Sequence, residues 1–302
     1  MSSASQEGHT LERTVRRLAA SFRSAGLEQP ARDARLIVAA VLDLDQVAML
    51  RAPDRMLSAP EIDAAERMAA RRLRHEPVSR ILGRRWFHGL EFEIDPSTLD
   101  PRPETETLVE GVLTRLRERI SPEAAPLRIL DLGSGSGAIL IALLAALPTA
   151  TGLGTDISRQ ALDVARRNAL QHGVADRADF RNADWFVGVE RATYDVVVAN
   201  PPYIPSDDVA ALDRDVRDFD PLTALDGGRD GLNAYRALTA GVSAYLAPTG
   251  LLVMEVGADQ AEAVSRLCET AGLRPEPDLA LWRDLSGHRR CVAATPRPWK
   301  HI

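Results

Sequence analysis

The chain has 302 residues, 45% of them apolar, which is enough for one large domain or two modest ones with packed cores. A formal net charge of −6 argues against a broad electrostatic grip on nucleic acid, and Cys268 and Cys291 have no Cys or His near them at ligand spacing, so no metal site or disulfide framework is expected. No stretch is apolar enough to span a bilayer, and residues 1–8 lack an apolar signal core, so the reading is a cytoplasmic protein without a membrane partner.

The first 80 residues read as helices. Leu11, Val15, Leu18, Ala19 and Phe22 share one helical face, and so do Ala34, Ile37, Val38, Val41 and Leu42; Gly26 and Pro30 mark the break between them. Ser58 and Glu61 form a capping-box pattern around Pro60 and open a third helix through Ile62, Ala65, Ala69 and Leu73. That helix ends in Arg71, Arg72, Arg74 and His75, cations either suited to a helix C-terminus or offered to an acidic partner. Alternating apolar positions around Gly89, from Trp86 to Ile94, predict a hairpin linking two domains. The predicted division is a helical domain over 1–80, a hairpin linker over 81–104 and a larger domain over 105–302.

From residue 105 the pattern changes. Short apolar runs at 127–131, 153–156, 194–199 and 251–255 alternate with helix-like segments at 138–147 and 158–172. Strands that are apolar throughout and separated by helices predict an α/β domain with a mostly parallel sheet covered on both faces. The acidic stretch 207–220 is either a mobile flap or a solvated loop. Near the end, 284–290 reads as a hairpin that finishes the sheet.

The first of these strands runs into Asp131-Leu132-Gly133-Ser134-Gly135-Ser136-Gly137 and then an apolar helix. Glycines there allow a tight turn and close approach of a ligand to free helix N-terminal N–H groups. The second strand ends in Asp156, whose carboxylate can accept hydrogen bonds from both hydroxyls of a ribose. Together these predict an adenosine-containing cofactor held by Gly133, Ser134, Gly135, Ser136, Gly137 and Asp156. They leave a dinucleotide and S-adenosylmethionine both open, although the dinucleotide fingerprint would need a glycine where this chain has Ala138.

After the 194–199 strand comes Asn200-Pro201-Pro202-Tyr203. Two prolines remove two backbone donors and stiffen the loop, so carbonyls and the Asn200 side chain stand as fixed acceptors. A planar NH2 suits such a surface. Asn200 Oδ1 and the Pro201 carbonyl would hold both of its protons and aim the nitrogen at a methyl donor, with Tyr203 stacking on the flat group. A carboxamide or a flipped adenine would fit equally well.

The order of features resembles the HemK/PrmC family, the N5-glutamine methyltransferases of peptide chain release factors. Matching segments are Pro101-Arg102-Pro103-Glu104-Thr105-Glu106, residues 131–137, Asp184-Trp185-Phe186, residues 200–204, Pro221-Leu222-Thr223-Ala224-Leu225, Asp230-Gly231-Leu232 and Glu255-Val256-Gly257. The resemblance implies a class I, Rossmann-like S-adenosylmethionine methyltransferase domain with a small N-terminal helical domain that binds release factors. It implies that residues 133–137 and Asp156 hold the cofactor, that Trp185 lies against its adenine, that Asn200 touches both cofactor and glutamine, and that Asn200, Pro201, Pro202 and Tyr203 form the glutamine pocket. It also leaves glutamine methylation of a ribosomal protein as a neighbouring alternative, and it is broken at Asp100, where the family usually has an aliphatic residue.

Overall fold

The computed structural model describes residues 9–118, 126–277, 279–284 and 286–296. The chain divides into two compact units: residues 1–83 with 213–219, and residues 84–212 with 220–302.

The first unit contains α1 (Leu11–Ser24), α2 (Pro30–Leu42), α3 (Gln46–Arg51), α4 (Ala59–Arg72) and α5 (Val78–Leu82). The α1 stripe is buried as its spacing predicts, and it packs with Ala34, Ile37, Val38 and Leu42 of α2 in one core. In the capping box of α4, the Glu61 carboxylate accepts from the Ser58 backbone N–H at 2.7 Å and from its hydroxyl at 2.8 Å. Leu73 departs from the expected stripe: it is the C-cap of α4 and is exposed. The six-residue α3 was not legible in the sequence, being too short to show a helical period, although Asp45 caps it by accepting from the Ala48 N–H at 2.7 Å.

Arg71, Arg72 and His75 of the basic cluster at the end of α4 find acidic partners within this unit. Arg71 pairs with Glu76, and the buried Arg72 reaches Asp33 at 2.7 Å and Asp215 at 2.8 Å. His75 Nδ1 lies 3.2 Å from the other Asp215 oxygen. Asp215 lies on the one-turn helix α9 (Arg214–Arg217), so the middle of the 207–220 stretch is anchored in the helical unit.

The second unit opens with the hairpin β1 (Arg84–Phe87) and β2 (Leu90–Glu93). Its Phe87 and Phe92 are fully buried in the core of this unit, so the hairpin is part of the α/β layer structure. There follow α6 (Glu106–Arg117), β3 (Arg128–Leu132), α7 (Ala138–Ala146), β4 (Thr151–Asp156), α8 (Arg159–Gln171), β5 (Ala178–Asn182), β6 (Tyr194–Ala199), α10 (Asn233–Val242), β7 (Leu246–Glu255), α11 (Ala261–Thr270), β8 (Arg274–Pro275) and β9 (Cys291–Thr295). The sheet order is β5-β4-β3-β6-β7-β9-β8; β3 to β7 run parallel and β9 is antiparallel to both its neighbours.

Alternation along these strands explains the two cores. Ile129, Val196, Val198, Leu251 and Val253 face the α6–α7–α8 layer, whereas Leu130, Leu132, Val197, Ala199, Leu252 and Met254 face α10 and α11. Both cysteines are buried and unpaired. The last strand is Cys291–Thr295, just after the segment expected to form a finishing hairpin. Of that segment, Leu285 lies outside the described residues, and Asp284 organises the rest as a tight turn by accepting from the Ser286 and His288 N–H groups. The turn's flanks form an isolated bridge at Arg283 and Arg289, with the Arg290 N–H donating to the Trp282 carbonyl at 2.8 Å.

Candidate active site

Strand order reverses between β3 and β6, and a crevice opens at the carboxyl ends of strands at such a switch point. The loops leaving β3, β4, β5 and β6 supply Gly133 to Ser136, Asp156, Trp185 and Asn200, all of which line one cavity in the second unit.

Gly133 and Gly135 have φ of +76° and +55°, left-handed values that strain any residue with a Cβ. A Cβ on Gly135 would meet nothing within 4 Å, so its backbone fronts open space. Gly137 differs from these two. It is the N-cap of α7, and a Cβ there would lie 2.9 Å from Ile141 and 3.1 Å from Ala165. Gly137 therefore serves helix packing and lies off the cavity wall, contrary to its expected place among the cofactor contacts.

Asp156 joins two strands' loops. Its Oδ2 accepts from the Gly135 N–H at 2.9 Å and its Oδ1 from the Ser158 N–H at 2.8 Å, while burial pushes its pKa up. Asp131, fully buried beneath the glycine loop, accepts from the Ser134 hydroxyl at 2.6 Å through Oδ2, and its Oδ1 has no partner among the described residues. Burial raises its pKa to about 7, and the neighbouring Asp156 charge adds to the effect.

Trp185 occupies a tight turn closed by reciprocal bonds between Asp184 and Val187, which forces it to φ +49°. That strain aims its ring at the cavity, 3.6 Å from where a Gly133 Cβ would sit. The exposed Ile157 lies on the same wall. Two carboxylates, Asp156 and Asp184, line the cavity, and none of its lining residues is Lys, Arg or His. Such walls suit an adenosine ligand carrying positive charge and give no cationic partner to a pyrophosphate. On these grounds the residues fit S-adenosylmethionine, resolving the choice the glycine spacing left open.

Asn200 leaves β6 with its Nδ2 donating to the Thr105 hydroxyl at 3.1 Å, and nothing among the described residues donates to its Oδ1. Pro202 lines the cavity beside it, while Pro201 is buried behind. Tyr203 does not line this cavity. It packs against the α10–α11 core, its carbonyl accepts from Gln260 Nε2 at 2.8 Å, and burial pushes its phenol up to about 12. The expected stacking role therefore gives way to bracing, because the half-buried ring anchors the loop from below.

The loop is also held from behind by residues whose role was not legible in the sequence. Ile204 pairs with the 225–227 segment through Ile204 N to Leu225 O and Gly227 N to Ile204 O, at 3.0 and 2.8 Å. Cβ atoms on Gly227 and Gly231 would come within 2.9 Å of the Pro202 carbonyl and 2.3 Å of the Tyr203 carbonyl. These close backbone approaches explain why glycine stands at both positions, of which Gly231 belongs to the Asp230-Gly231-Leu232 segment.

The Pro-Arg-Pro-Glu-Thr-Glu segment forms the opposite lip. Arg102 pairs with the buried Asp220 at 2.5 Å, and Glu106 accepts from the His88 N–H at 2.9 Å. The unusual Asp100 is buried and has a local counter-ion, Arg85 Nε at 3.5 Å, which also donates to the Pro101 carbonyl at 3.0 Å. The pairing offsets the cost of a buried charge where an aliphatic residue would need none. Asn168 fastens the hairpin to the glycine loop, donating to the Glu93 carbonyl at 3.0 Å and the Ser136 carbonyl at 2.9 Å.

Comparison with known proteins agrees with this geometry. Residues 14–83 match the family described as PrmC N-terminal domain, and residues 112–213 match the methyltransferase small domain. A release factor glutamine methyltransferase of Rhodospirillum rubrum is 48% identical over 304 residues, covering 99% of this chain and 90% of that protein. One from Bradyrhizobium diazoefficiens is 44% identical over 292 residues, covering 96% of each. Among solved structures, a methyltransferase from Pyrococcus furiosus matches with a TM-score of 0.51 at 16% identity, over 69% of this chain and 89% of that one, and shows the fold alone. With class I topology, an acidic adenosine cavity and near-full-length similarity in agreement, the chain belongs to the release factor glutamine methyltransferase family.

Proposed function

We propose that this protein transfers the methyl group of S-adenosylmethionine to the side-chain amide nitrogen of the glutamine in the Gly-Gly-Gln loop of peptide chain release factors. The observation that carries the reading is the Asn200 carboxamide, held at the cavity wall with its nitrogen committed to Thr105 and its oxygen left to accept. The high similarity to proteins named for this activity supports the choice of substrate.

Gly133 to Ser136, Asp156 and Trp185 hold the cofactor, whose bound sulfonium supplies an electrophilic methyl group. Asn200 Oδ1 accepts from one proton of the substrate NH2, and a carbonyl of the Pro201–Pro202 pair accepts from the other. Amide nitrogen is a poor nucleophile because its lone pair is delocalised; fixing both N–H bonds aims that lone pair at the methyl carbon and favours its rehybridisation. No strong base is needed before transfer, since the nitrogen proton becomes acidic only as the new bond forms. The helical unit holds the release factor, and the α/β unit, whose core includes the 84–93 hairpin, carries out the transfer in the cytoplasm. No helix among the described residues is long and apolar enough to cross a membrane.

Purified protein with methyl-labelled cofactor and a release factor tests the proposal. Label should enter the release factor and disappear when the Gly-Gly-Gln glutamine is replaced; persistence of label would overturn the assignment. A parallel incubation with nucleic acid, digested to nucleosides, should give no N6-methyladenine.

A further inference from the structure

One side chain against the glycine loop has both of its amide protons and its oxygen engaged. Asn168 lies on α8 and is fully buried within the second unit. Its Oδ1 accepts from the Glu93 N–H at 2.8 Å, and its Nδ2 donates to the Glu93 carbonyl at 3.0 Å and to the Ser136 carbonyl at 2.9 Å. Three bonds fix the way this amide faces, because turned over it would set its NH2 against the Glu93 N–H and its oxygen against two carbonyls. The peptide joining Ser136 to Gly137 is thereby held at both polar atoms, since the Gly137 N–H donates to the Ser134 carbonyl at 2.8 Å. A Cβ on Gly137 would lie 3.1 Å from Ala165, one turn earlier on the same helix. Ser136 lines the cavity, so α8 determines where this part of the wall stands.

We infer that Asn168 is a positioning residue for the cofactor: it fixes the peptide between Ser136 and Gly137, and through it sets the affinity of the glycine loop. This rests on the reading that the loop holds S-adenosylmethionine, and adds to it a residue outside the cavity. A loop with glycine at 133, 135 and 137 has wide backbone freedom, and ordering it at each binding event would weaken affinity. Asp156 restrains the loop at the Gly135 N–H and Asn168 restrains it at the Ser136 carbonyl, so the wall is ordered before a ligand arrives. The two restraints differ in kind. Asp156 lines the cavity itself, whereas Asn168 is not among the lining residues and acts only through the loop. The exposed pair of Arg167 and Glu93, 2.7 Å apart, also ties α8 to β2 but makes no bond to the loop. By reciprocity, a set of bonds that favours binding is itself strengthened when the ligand binds.

Asn168→Asp keeps the acceptor for the Glu93 N–H and loses both donors, and Asn168→Ser retains a hydroxyl that can turn back to its own helix. In each, calorimetric Kd for S-adenosylmethionine should rise by about five- to fiftyfold, and KM for it should rise alike, with kcat at saturation within about twofold. Arg167→Ala, which loosens the hairpin without touching the loop, should leave that Kd within about twofold. A lowered melting temperature with Kd unchanged in the Asn168 variants would make the bonds structural only and overturn the inference. The unaltered protein gives a second measurement. The chain has four asparagines, Asn168, Asn182, Asn200 and Asn233, so selective 15N-asparagine labelling gives a simple side-chain amide spectrum, and alanine at each of the other three identifies the Asn168 pair by elimination. Saturating cofactor should slow hydrogen exchange of that pair by about fivefold or more, and a rate indifferent to cofactor would overturn the inference whether or not the variants fold. Asp156→Ala separates the two readings. Unchanged cofactor affinity there would sink the cavity assignment and the inference with it, whereas weakened affinity beside a normal Asn168→Asp would remove the positioning role alone.

Discussion

Asp156 Oδ2 accepts a hydrogen bond from the Gly135 N–H at 2.9 Å, so the acid at the end of β4 and the glycine loop after β3 form one rigid edge of the cavity. Asp156→Ala removes both this tie and an acceptor facing the ligand. Cofactor Kd should rise by about ten- to a hundredfold, the loss of one or two charge-assisted hydrogen bonds, with a smaller effect on kcat at saturation. Asn200→Ala should do the converse, lowering kcat by about a hundredfold or more while cofactor affinity changes little. Calorimetry beside single-turnover kinetics separates the two, and equal losses in both parameters for each variant would contradict the division of roles.

Gly227→Ala tests the brace behind the substrate loop. Its new Cβ would stand 2.9 Å from the Pro202 carbonyl and from Gly231 backbone atoms, none of which is the end of a flexible side chain. The loop must shift, and turnover should fall by at least about tenfold with cofactor binding retained, since small displacements of aligned groups are costly. Unchanged kcat would show that the loop tolerates movement there.

The buried Asp131 makes stability depend on pH. Its pKa is raised from 3.8 to about 7 in the folded protein, so folding favours its protonated form. That contribution is complete below about pH 4 and is lost as pH rises towards and through 7. Asp131→Asn should therefore gain in melting temperature relative to wild type as pH increases from 5 to 8. A constant difference across that range would exclude the charge as its cause.

Arg72→Ala would leave Asp33 buried without its counter-ion and remove one partner of Asp215. Breaking a buried pair from one side costs about 3 kcal/mol. Arg72→Ala and Asp33→Ala should be strongly non-additive in denaturant unfolding; additive losses would mean that the pair contributes no coupling.

At Gly111, inside α6, a Cβ would fall 2.2 Å from the Trp282 ring, which is fully buried. Gly111→Ala should destabilise the protein by at least about 1–3 kcal/mol, the usual cost of overpacking. Adding Trp282→Leu should recover part of that loss, and the absence of any recovery in melting temperature would refute the steric account.

Local chemistry made much of the protein legible. The α1 and α2 stripes, the Ser58–Glu61 box, the strand 194–199 and the turn from Asp131 into α7 are written in spacings of two to seven residues, and the structure has each of them. The edge strands β5 and β8 and the neighbouring β9 were not read, because a few residues carry too little periodic signal to separate a strand from a loop. Leu73 was misplaced for a related reason: helical phase predicts a face but not where the helix stops.

By itself the sequence determined the layer architecture, the glycine turn with its partner acid, and a proline-stiffened acceptor loop, because backbone restriction and hydrophobic period act between near neighbours. Only the tertiary structure decided that Gly137 packs a helix, that Tyr203 anchors from below, and that Asp100 is matched by Arg85. It alone brought the Asn200 amide against the Thr105 hydroxyl, with Nδ2 donating at 3.1 Å across a sequence separation of 95. Burial and hydrogen-bond direction belong to groups that meet in space, and no spacing along the chain encodes which way an amide faces.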